Sequence, residues 1–502
     1  MNGTKTIANV LRRIIVPLFL GSALTGCTLT PRVLSVDELA LASDTVLSSL
    51  DADQEIVSGP IDLYGAMARA LKYNLDHRVE QFRIALAQRK LSSAQAGLLP
   101  DLTARAGYAA RSNDIVTQSQ DLLTGVRTDS LSTSSERRSG TADLAFNFHV
   151  LDFGLSYVRA QQAADEALIA EEQRRKIVNR IIEDVRTSYW RAVSAERLLH
   201  GFQKLEQRVE RAQSDNEKLR RAGQASPMTA LTSERELVDI KKQIRRLDAQ
   251  LRTAKAQLAG LMNIRPGADF HLVVPNRQLT GLRIAEDGNE LSHLAVQNRP
   301  EFRETLYRAR INVAEENAAK LELLPGVHLF AGANYDSNDF LLNSSWLDAG
   351  AKASWNLMRI LKYPIRRASV RAEGDLIETK AKAYAMAIMT QVHMARARHA
   401  QALRIAETAA EYSKVQDRIT EQMRARVKAG AEARRSLIRE EMNALVAAVE
   451  YDIAYADLQN AFGNVYAAVG LDPIRPETST ELPVAELARE LRSVWVERGD
   501  GS

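Results

Sequence analysis

The sequence contains an internal duplication, and this repeat constrains the fold more than any other feature. Leu98-Leu99-Pro100 recurs as Leu323-Leu324-Pro325 at an offset of 225 (325 − 100), and Ala222-Gly223 recurs as Ala429-Gly430 at an offset of 207 (430 − 223). The two offsets differ by 18 (225 − 207), which indicates an insertion in the first copy. The Ser-, Thr- and Asp-rich stretch 111–139 is the candidate insertion, and its composition predicts a loop.

Each copy follows the same plan: a helix that ends at Leu-Leu-Pro, two strands, a very long helix, an Ala-Gly break and a second long helix. Stretches without a counterpart flank and separate the two copies. The predicted organisation is an export signal (1–26), an N-terminal anchor segment (27–60), the first repeat (61–266), a linker (267–290), the second repeat (291–473) and a C-terminal tail (474–502).

The long helices are the strongest local pattern in the sequence. Residues 155–221 contain no Pro and a single Gly, Gly201, and their apolar residues recur at steps of three and four. Residues 365–427 repeat the pattern with Gly374 as their only Gly, and a helix of this length would extend for roughly 100 Å. Long helices joined by tight Gly-containing turns predict antiparallel coiled-coil hairpins. Taken alone, these helices favour a soluble helical bundle.

Four segments that follow the Leu-Leu-Pro motifs alternate apolar and polar residues, which predicts β-strands with two different faces. They cover 102–111, 141–150, 327–335 and 347–357, each about the 9–11 residues of a tilted strand that crosses a bilayer. The apolar faces would meet lipid and the polar faces a water-filled lumen. The predicted lumen-facing residues are Arg105, Asp143, Asn147 and Lys352. A soluble sheet packed on helices would show the same alternation.

Four strands per chain cannot close a barrel, because the two outer strands would leave open edges in lipid. A membrane position therefore requires several chains, and three copies would supply 12 strands (3 × 4). No apolar run in the chain reaches the ~18 residues of a transmembrane helix. Membrane crossing, if it occurs, is therefore predicted to use β-strands.

The N-terminus is typical of an export signal with a lipoprotein box. Lys5, Arg12 and Arg13 precede a short apolar core at 14–23. Leu24-Thr25-Gly26-Cys27 follows and resembles the bacterial lipobox, which predicts cleavage before Cys27 and lipidation of its thiol, for example with palmitate. An ordinary signal peptide with a chance Cys is the alternative. Cys27 is the only Cys, which excludes an intrachain disulfide and a thiolate metal site.

Charge and motifs exclude several functional classes. The formal net charge of +4 is small for 502 residues and its signs are interleaved, so no nucleic-acid partner is predicted. The sequence has no phosphate-binding Gly loop, nucleophile elbow or spaced metal-ligand cluster, so it predicts no enzyme, no cofactor and no metal. His149 and His328 fall on polar strand faces, where a solvated lumen explains them more simply than a metal does.

The order and duplication of these motifs resemble the TolC-like outer-membrane efflux and export family, from residue 61 to residue 473. Leu151-Asp152-Phe153-Gly154, before the first long helix, is part of the resemblance. It implies a mainly α fold with a small β part, in which long antiparallel coiled-coil hairpins join four β-strands per chain. It also implies a homotrimer whose 12 strands form a transmembrane β-barrel in the outer membrane.

The resemblance further implies a set of partners. A helical tunnel would project into the periplasm and dock with a periplasmic adaptor (membrane fusion) protein, and an inner-membrane transporter would supply the free energy. Outer-membrane lipid would surround the barrel. The unrepeated linker and tail would form a belt around the tunnel at its equator.

The sequence departs from the family at two places. Arg359-Ile360-Leu361 stands where the first copy has Asp152-Phe153-Gly154, so the second strand-to-helix junction is predicted to differ from the first. Family members often carry a carboxylate six residues after the hairpin Gly, and here Thr229 and Ser436 occupy those positions.

The hairpin tips are predicted at Gly223 and Gly430, the turns farthest from the strands. Cations near the end of a helix favour its macrodipole and need no functional explanation. Arg434 and Arg435 instead lie in the first turns of the following helix, where acidic residues are preferred. These two residues are the candidates for contact with the tip of the adaptor or for gating.

The predicted function is passive conduction from the periplasm to the exterior, with efflux of drugs or toxic small molecules as the first hypothesis. A channel for type I protein secretion is the alternative in the same class, and its tunnel would look alike. A lipid-anchored periplasmic structural or adaptor coiled-coil protein is a third hypothesis. Its signature, one hairpin beside a lipoyl-like β domain, does not match the duplicated strand pairs.

Overall fold

The computed structural model describes residues 31–50, 52–222, 226–265, 267–279, 282, 284, 287–475 and 478–499, with the backbone alone for 250–252. The predicted signal with Cys27 and the predicted tip residue Gly223 lie outside these residues. The chain divides into two units, Met1–Gln54 and Glu55–Ser502. In the first unit, helix α1 (Val36–Ser49) begins with a capping box formed by Ser35 and Glu38.

In the second unit, both repeats have the same order of elements. The first comprises α2 (Leu63–Tyr73), α3 (Leu75–Ala96), β1 (Asp101–Ala110), β2 (Val116–Gln120), β3 (Arg127–Thr133), β4 (Arg138–His149), α4 (Val150–Arg221) and α5 (Pro227–Leu261). The second comprises α6 (Gly288–Asn298), α7 (Pro300–Leu321), β5 (Gly326–Asp336), β6 (Ser345–Ser354), α8 (Met358–Lys428) and α9 (Arg434–Val469), and the tail forms α10 (Val484–Glu497). Each element of the second repeat starts 225 or 207 residues after its equivalent in the first repeat, to within one residue. The sequence duplication is therefore also a duplication of structure.

One antiparallel sheet joins the two repeats in the strand order β1-β4-β5-β6. β4 and β5 come from different repeats and form the central pair, with Asp143 opposite Asn334 and His149 opposite His328. β1 and β6 are the outer strands, and within the described residues each has one unpaired edge. The chain therefore has the predicted four-stranded sheet, and both of its edges are free to pair with another chain.

The insertion in the first copy forms a β-hairpin rather than the predicted loop. β2 and β3 pair antiparallel, and Asp121 Oδ1 accepts hydrogen bonds from the backbone N–H groups of Leu123 (2.8 Å) and Thr124 (2.9 Å) in the turn. Gly125 has a φ of 67°, which Gly adopts without steric strain. The polar composition led to the wrong expectation because Thr and Val also suit an exposed two-stranded ribbon.

The helix before each Leu-Leu-Pro motif is broken in two, whereas the sequence predicted a single helix. The breaks lie at Asn74 and at Arg299, which are equivalent positions because their numbers differ by 225 (299 − 74). Asn74 Oδ1 accepts hydrogen bonds from the N–H groups of Asp76 (3.0 Å) and His77 (3.3 Å) and so caps α3. In the second copy, Pro300 occupies the first helical position instead. The repeats thus form the same break by different local chemistry.

Both long hairpin helices are present, and each is longer than predicted. α4 has 72 residues and follows β4 with no residue between them, while Gly201 lies within the helix. α8 has 71 residues, continues through Pro364 and Gly374, and is separated from β6 by residues 355–357. The two strand-to-helix junctions therefore differ, as Arg359-Ile360-Leu361 predicted.

The largest apolar core surrounds the middle of α4, and the unrepeated segments complete it. α4 contributes Val178, Ile181, Val185, Tyr189 and Trp190, the linker contributes Phe270 and Leu272, and α10 contributes Leu487, Leu491 and Trp495. Leu272 also pairs with Ile61 through a parallel β-bridge. The linker and the tail therefore pack at the level of the middle of the first long helix.

The fold class predicted from the sequence is confirmed: the chain is mainly helical, with two long hairpins and a small antiparallel part. Among the described residues, none of the helices carries an apolar stretch long enough to cross a membrane.

Candidate channel surfaces

The four residues predicted to face a lumen lie on one face of the sheet. Arg105 and Asp143 are cross-strand partners on β1 and β4, with Arg105 Nη1 at 3.8 Å from Asp143 Oδ2. Asn147 follows Asp143 by four residues on β4, and Lys352 is opposite His328, so both share this face by the strand period of two. Exposed ion pairs contribute little stability, so the Arg105 and Asp143 charges serve mainly to make the face polar.

Aromatic and basic side chains cluster on the polar face where the sheet meets the helices. The imidazole rings of His149 and His328 stack with their centroids 4.2 Å apart and their planes 7° apart. Nε2 of His328 lies 3.0 Å from Asn147 Oδ1, and Nδ1 of His149 lies 3.8 Å from Asp152 Oδ2. The polar face therefore brings together two His residues that lie in different repeats and are far apart in the chain.

Glycines make room for large side chains on the same face. A Cβ on Gly350 would lie 2.6 Å from the ring of Phe330, and a Cβ on Gly332 would lie 2.7 Å from Asp348 Oδ1. The Phe330 ring covers the Gly350 backbone, and Lys352 Nζ lies 4.9 Å from the centroid of that ring. Aromatic cover of a strand Gly compensates for the contacts that the missing side chain would have made.

The opposite face of the sheet is apolar and exposed. Leu144 lies in its middle, opposite Ala104 on β1 and Ala333 on β5. The aromatic residues on the strands of this face are Tyr108, Tyr335, Phe146 and Phe148. Tyr335 lies near the loops, whereas Phe148 lies opposite Leu329, six residues away and thus roughly 20 Å along the strand. Aromatic side chains therefore lie near both ends of the apolar face.

Trp355, a further aromatic residue near the sheet, lies just beyond β6. Its indole Nε1–H donates a hydrogen bond to the carbonyl oxygen of Leu323 at 3.0 Å. This residue therefore also joins the second strand-to-helix junction to the end of α7.

An apolar stripe on α8 is exposed and follows a seven-residue spacing. Ile405, Tyr412 and Ile419 are 50%, 51% and 43% exposed, respectively. The equivalent positions on α4 include Leu198 and Leu205, which are 6% and 3% exposed and belong to the core of the first hairpin. The same face of the long helix is therefore buried in the first repeat and bare in the second.

A second bare stripe lies on α5. Leu231 and Val238 are 57% and 49% exposed. Their equivalents on α9, Ile438 and Leu445, pack in the core that α9 shares with α4 and α5. Within the chain, α4 packs against α9. The equivalent pair, with the two repeats exchanged, is α8 with α5, and an α5 from another chain could make this contact.

The described part of the second hairpin tip includes Gly430, whose φ of 74° reverses the chain between α8 and α9. Arg434 and Arg435 occupy the first turn of α9 as predicted. Arg435 Nη1 donates a hydrogen bond to Ser233 Oγ at 2.8 Å, so this side chain joins α9 to α5. Both Arg434 and Arg435 are exposed. The two candidates therefore both reach solvent, and Arg435 in addition bridges two helices within the chain.

The cations of the first tip are engaged by an acid that sequence reasoning overlooked. Arg220 Nε and Arg221 Nε each lie 2.7 Å from a carboxylate oxygen of Glu217 on their own helix. Hydrogen bonds from these two guanidinium groups lower the pKa of Glu217 to about 2. The excess positive charge at the first tip is therefore smaller than counting the Arg residues indicated.

A buried ion cluster holds the linker against both repeats. Arg197 of α4 pairs with Asp452 of α9 and donates to the carbonyl oxygen of Pro275 at 2.7 Å. Arg277 Nη1 lies 3.5 Å from Asp452 Oδ1, and its guanidinium lies 4.2 Å from the centroid of the Tyr451 ring. Burial raises the pKa of the Asp452 carboxyl, and the two Arg residues oppose this shift. The cluster's contacts are all structural, and none of them resembles an acid–base pair at an open pocket.

Within the described residues, no group of three or more His, Cys, Asp or Glu side chains has the geometry of a metal site. The exposed stripes were not found by sequence reasoning, although the spacing of Ile405, Tyr412 and Ile419 was visible there. Helical periodicity shows that a face is apolar but not whether its partner belongs to the same chain.

Comparison with known proteins supports the resemblance. The model of a protein family described as "Outer membrane efflux protein" matches residues 66–263, which lie within the first repeat. A search of the curated proteins gives no significant match.

Solved structures of outer-membrane channels share the fold. The CmeC outer-membrane channel of Campylobacter jejuni has a TM-score of 0.65 at 14% identity, over 93% of this chain and 98% of CmeC. The open-state MtrE outer-membrane channel of Neisseria gonorrhoeae has a TM-score of 0.61 at 16% identity, over 84% of this chain and 94% of MtrE. The outer-membrane protein VceC of Vibrio cholerae has a TM-score of 0.60 at 14% identity, over 81% of this chain and 96% of VceC. The TolC-like resemblance stated from the sequence is thereby confirmed for the fold.

Proposed function

We propose that this chain, with the fold of outer-membrane channels and a first repeat that matches the outer membrane efflux protein family, is the channel subunit of a tripartite export system. It would act as a homotrimer in the outer membrane and conduct small toxic molecules passively from the periplasm to the exterior. A protein substrate of a type I secretion system is the alternative cargo. The family description supports efflux, and the similar structures CmeC and MtrE are outer-membrane channels.

The observation that carries the proposal is the unfulfilled helix contact. Within the chain, α4 packs against α9, and Arg208 of α4 pairs with Glu441 of α9. The equivalent positions in the other repeat are Val415 on α8 and Glu234 on α5, which lie on the two bare helix faces. A second chain that places its α5 against α8 would bury both stripes in the geometry already used inside the chain. Because each chain offers one α8 stripe and one α5 stripe, the contact runs head to tail, and it forms a ring when the rotation between successive chains closes.

The sheet supports the same ring. β1 and β6 each have one unpaired edge in the described chain, and the edge of β6 can pair with β1 of the next copy. Three copies give 12 strands, and closure removes every open edge, which lipid requires. The apolar face with Leu144 would then face lipid, and the face with Arg105, Asp143, Asn147 and Lys352 would face water.

The remaining parts of the proposal concern the anchor and the partners. Cys27 would carry the lipid, and an acyl chain on each of several subunits would reinforce the hold of the barrel on the membrane. The exposed Arg434 at the second tip would meet a periplasmic adaptor, which couples the channel to an inner-membrane transporter. Arg435 would support this surface through its bond to Ser233.

Chemical cross-linking tests the ring directly. In a Cys27→Ser background, Glu234→Cys and Val415→Cys introduced together should be joined between chains by a short bismaleimide. We expect bands at two and three chain masses on a denaturing gel, because the ring repeats the Arg208–Glu441 contact at this position. Asp417→Cys is the matched control, since it is exposed and lies two residues, or about 200°, around the same helix. Equal cross-linking through Asp417→Cys, or none through Val415→Cys, would refute this arrangement.

The cargo is tested separately in a strain that lacks the gene. Loss of resistance to small toxic compounds, restored by the wild-type chain, supports efflux. Loss of a secreted protein with unchanged resistance supports type I secretion instead.

The orientation of the sheet in the membrane has its own test. Leu144→Arg should reduce the yield of heat-stable trimer, because a midplane charge on the lipid face costs ~2–4 kcal/mol. Asn334→Arg, on the polar face beside Asp348, should be tolerated.

A further inference from the structure

We propose that His149 and His328 form a binding site for a divalent transition-metal ion, one per chain, at the helical end of the sheet. The inference concerns the cross-strand geometry of the sheet and does not depend on the conduction of any cargo. Two imidazole ligands and solvent would hold the ion. It therefore differs from a preformed site of three or more protein ligands, which the described residues do not contain.

The two imidazoles are held beside each other by the sheet register. His149 of β4 lies directly opposite His328 of β5, on the polar face. Side chains directly opposite in an antiparallel pair have their Cβ atoms about 4.5–5.5 Å apart. The rings are stacked, with a centroid separation of 4.2 Å. Nothing in the sequence connects these residues, because they come from different repeats and are not equivalent positions.

A hydrogen-bond acceptor beside His328 leaves its other nitrogen free for a metal. Asn147 Oδ1 is 3.0 Å from Nε2 of His328, so that nitrogen carries the proton and Nδ1 keeps its lone pair. Asp152 Oδ2 lies 3.8 Å from Nδ1 of His149, which is beyond hydrogen-bond distance, so this contact does not select a tautomer of His149. An acceptor behind a metal-binding His is the usual arrangement, because it fixes the tautomer and raises ligand basicity.

Both rings must turn about χ1 and χ2 to share an ion, because the lone pairs of two stacked rings lie in parallel planes. Two nitrogens bound at ~2.0–2.1 Å to one tetrahedral ion lie about 3.4 Å apart, a spacing that side chains on directly opposite strand positions can reach. Rotation about χ2 of His is soft, and the His149 side chain is 45% exposed, which leaves space for its ring to turn. Neutral imidazole suits Zn²⁺, Ni²⁺ and Cu²⁺ and not Mg²⁺ or Ca²⁺, which take oxygen ligands.

Lys352 is the nearby cation that weakens the site. It is the cross-strand partner of His328 on β6, and its ammonium lies 4.9 Å from the centroid of the Phe330 ring. Removing this charge without changing the two His residues should therefore strengthen metal binding, which a purely structural His pair would not show.

The test is a titration of the purified full-length protein, produced without a polyhistidine tag, with Ni²⁺, Cu²⁺ and Zn²⁺ at pH 7.5. We expect one ion per chain, with two nitrogen ligands visible in the Cu²⁺ EPR spectrum. His149→Ala and His328→Ala should each abolish this binding, Asn147→Ala should weaken it by about 10–100-fold, and Lys352→Gln should strengthen it.

His271→Ala is the matched control, because His271 is an exposed His whose Nδ1 lies 2.8 Å from Glu196 Oε1, far from the sheet in sequence. This variant should bind the ion as the wild type does. No binding by the wild type at millimolar ion, or unchanged binding in the His149→Ala, His328→Ala double variant, would overturn the proposal. Loss in only one of the single variants would also overturn it, since both rings are required. Thermal unfolding of each variant checks that the sheet is intact.

Discussion

The two hairpins share one backbone plan, but their interiors are built differently. Phe202 and Val209 of α4 are buried in the first hairpin, whereas the equivalent residues of α8 are Ala409 and Gln416. Gln416 Nε2 donates to Glu440 Oε2 at 2.8 Å, so a polar contact replaces an aliphatic one. The second hairpin therefore buries less apolar surface within its own chain, and it carries the bare stripe on α8. We infer that its stability depends more on association than that of the first.

The middle of the two repeats shows the same contrast. In the first repeat, α10 and the linker cover α2 and α4, and Trp495 is 3% exposed against Arg186, whose guanidinium lies 4.3 Å from the ring centroid. In the second repeat, the equivalent region has a smaller core beside an open groove of about 580 Å³ between α8 and α9. Identical folding plans thus acquire different stabilities from segments that were never duplicated.

The largest expected effect removes the cover from the first repeat. Trp495→Ala should destabilise the protein by about 3–5 kcal/mol, because it deletes a buried aromatic side chain and leaves a cavity beside Arg186. Val496→Ala is the control on the same helix, since Val496 is 53% exposed, and its effect should be small. Chemical denaturation in detergent measures both. Similar unfolding midpoints for the two variants would show that α10 does not stabilise the first repeat.

The next prediction compares equivalent core positions directly. Ile181 and Ile388 are equivalent in the two repeats, and both are 2% exposed. Each change to Ala should cost about 2–5 kcal/mol, with Ile181→Ala at the upper end and Ile388→Ala at the lower end. The smaller core of the second repeat, beside its groove, can relax around the deleted methyl groups. The free energies of unfolding of the two variants test this prediction. A larger loss for Ile388→Ala than for Ile181→Ala would contradict it.

A pH-dependent contribution to stability is expected from one buried His in each repeat. In the first repeat, His77 is fully buried, with Nδ1 at 2.6 Å from the carbonyl oxygen of Leu71, and burial lowers its pKa. The unfolded chain therefore binds a proton that the folded chain does not, so stability falls as the pH drops below about 6.5 toward the lowered pKa. Arg174 adds to this shift, whereas Glu171 and Glu481 oppose it.

In the second repeat, burial lowers the pKa of His399, whose Nε2 lies 2.8 Å from the carbonyl oxygen of Leu282. This repeat carries Phe302 at the position equivalent to His77. His77→Phe should therefore reduce the dependence of unfolding free energy on pH between pH 7 and pH 5, even if stability at pH 7 falls by about 1–3 kcal/mol because the Leu71 carbonyl loses its donor. An unchanged slope in this variant would assign the pH dependence to other groups.

The smallest effect on stability is expected at the tips. Arg434→Glu with Arg435→Glu should leave the trimer intact, because exposed charges contribute little stability, yet weaken export and cross-linking to the adaptor. Arg220→Glu with Arg221→Glu is the comparison at the first tip, where Glu217 already engages both cations. We expect export to fall only in the first variant. Normal export by a normally expressed Arg434→Glu, Arg435→Glu variant would show that both residues are ordinary solvated surface charges.

The sequence predicted the repeat, both long hairpins, the strand faces and the different second junction. These features depend on periodicity and on the spacing of Leu-Leu-Pro and Ala-Gly, which are local and are duplicated in the chain. It missed the helix breaks at Asn74 and Arg299, because an Asn cap and an Arg-Pro pair give different local signals for one geometry. It also predicted a loop where β2 and β3 form a ribbon.

The candidate surfaces were only partly predictable. Alternation placed Arg105, Asp143, Asn147 and Lys352 on one face, but it gave no indication that His149 and His328 stack. That contact depends on the pairing of β4 with β5, which joins segments from different repeats. The pairs of Glu217 with Arg220 and Arg221, in contrast, have the i,i+3 and i,i+4 spacing of a helix, so the sequence already contained the signal for them.

The position of α10 has a consequence for the order in which the protein can mature. The first repeat is synthesised first, yet Trp495, Leu487 and Leu491, which complete its core, follow both repeats in the chain. Arg492 also pairs with Asp62, a contact between the two ends of the second unit. Contacts of such separation form late and slowly, since a long loop must close first. The apolar side of the first repeat therefore remains uncovered until the last helix has emerged, and during that interval a holding chaperone or prompt completion of the chain must prevent aggregation.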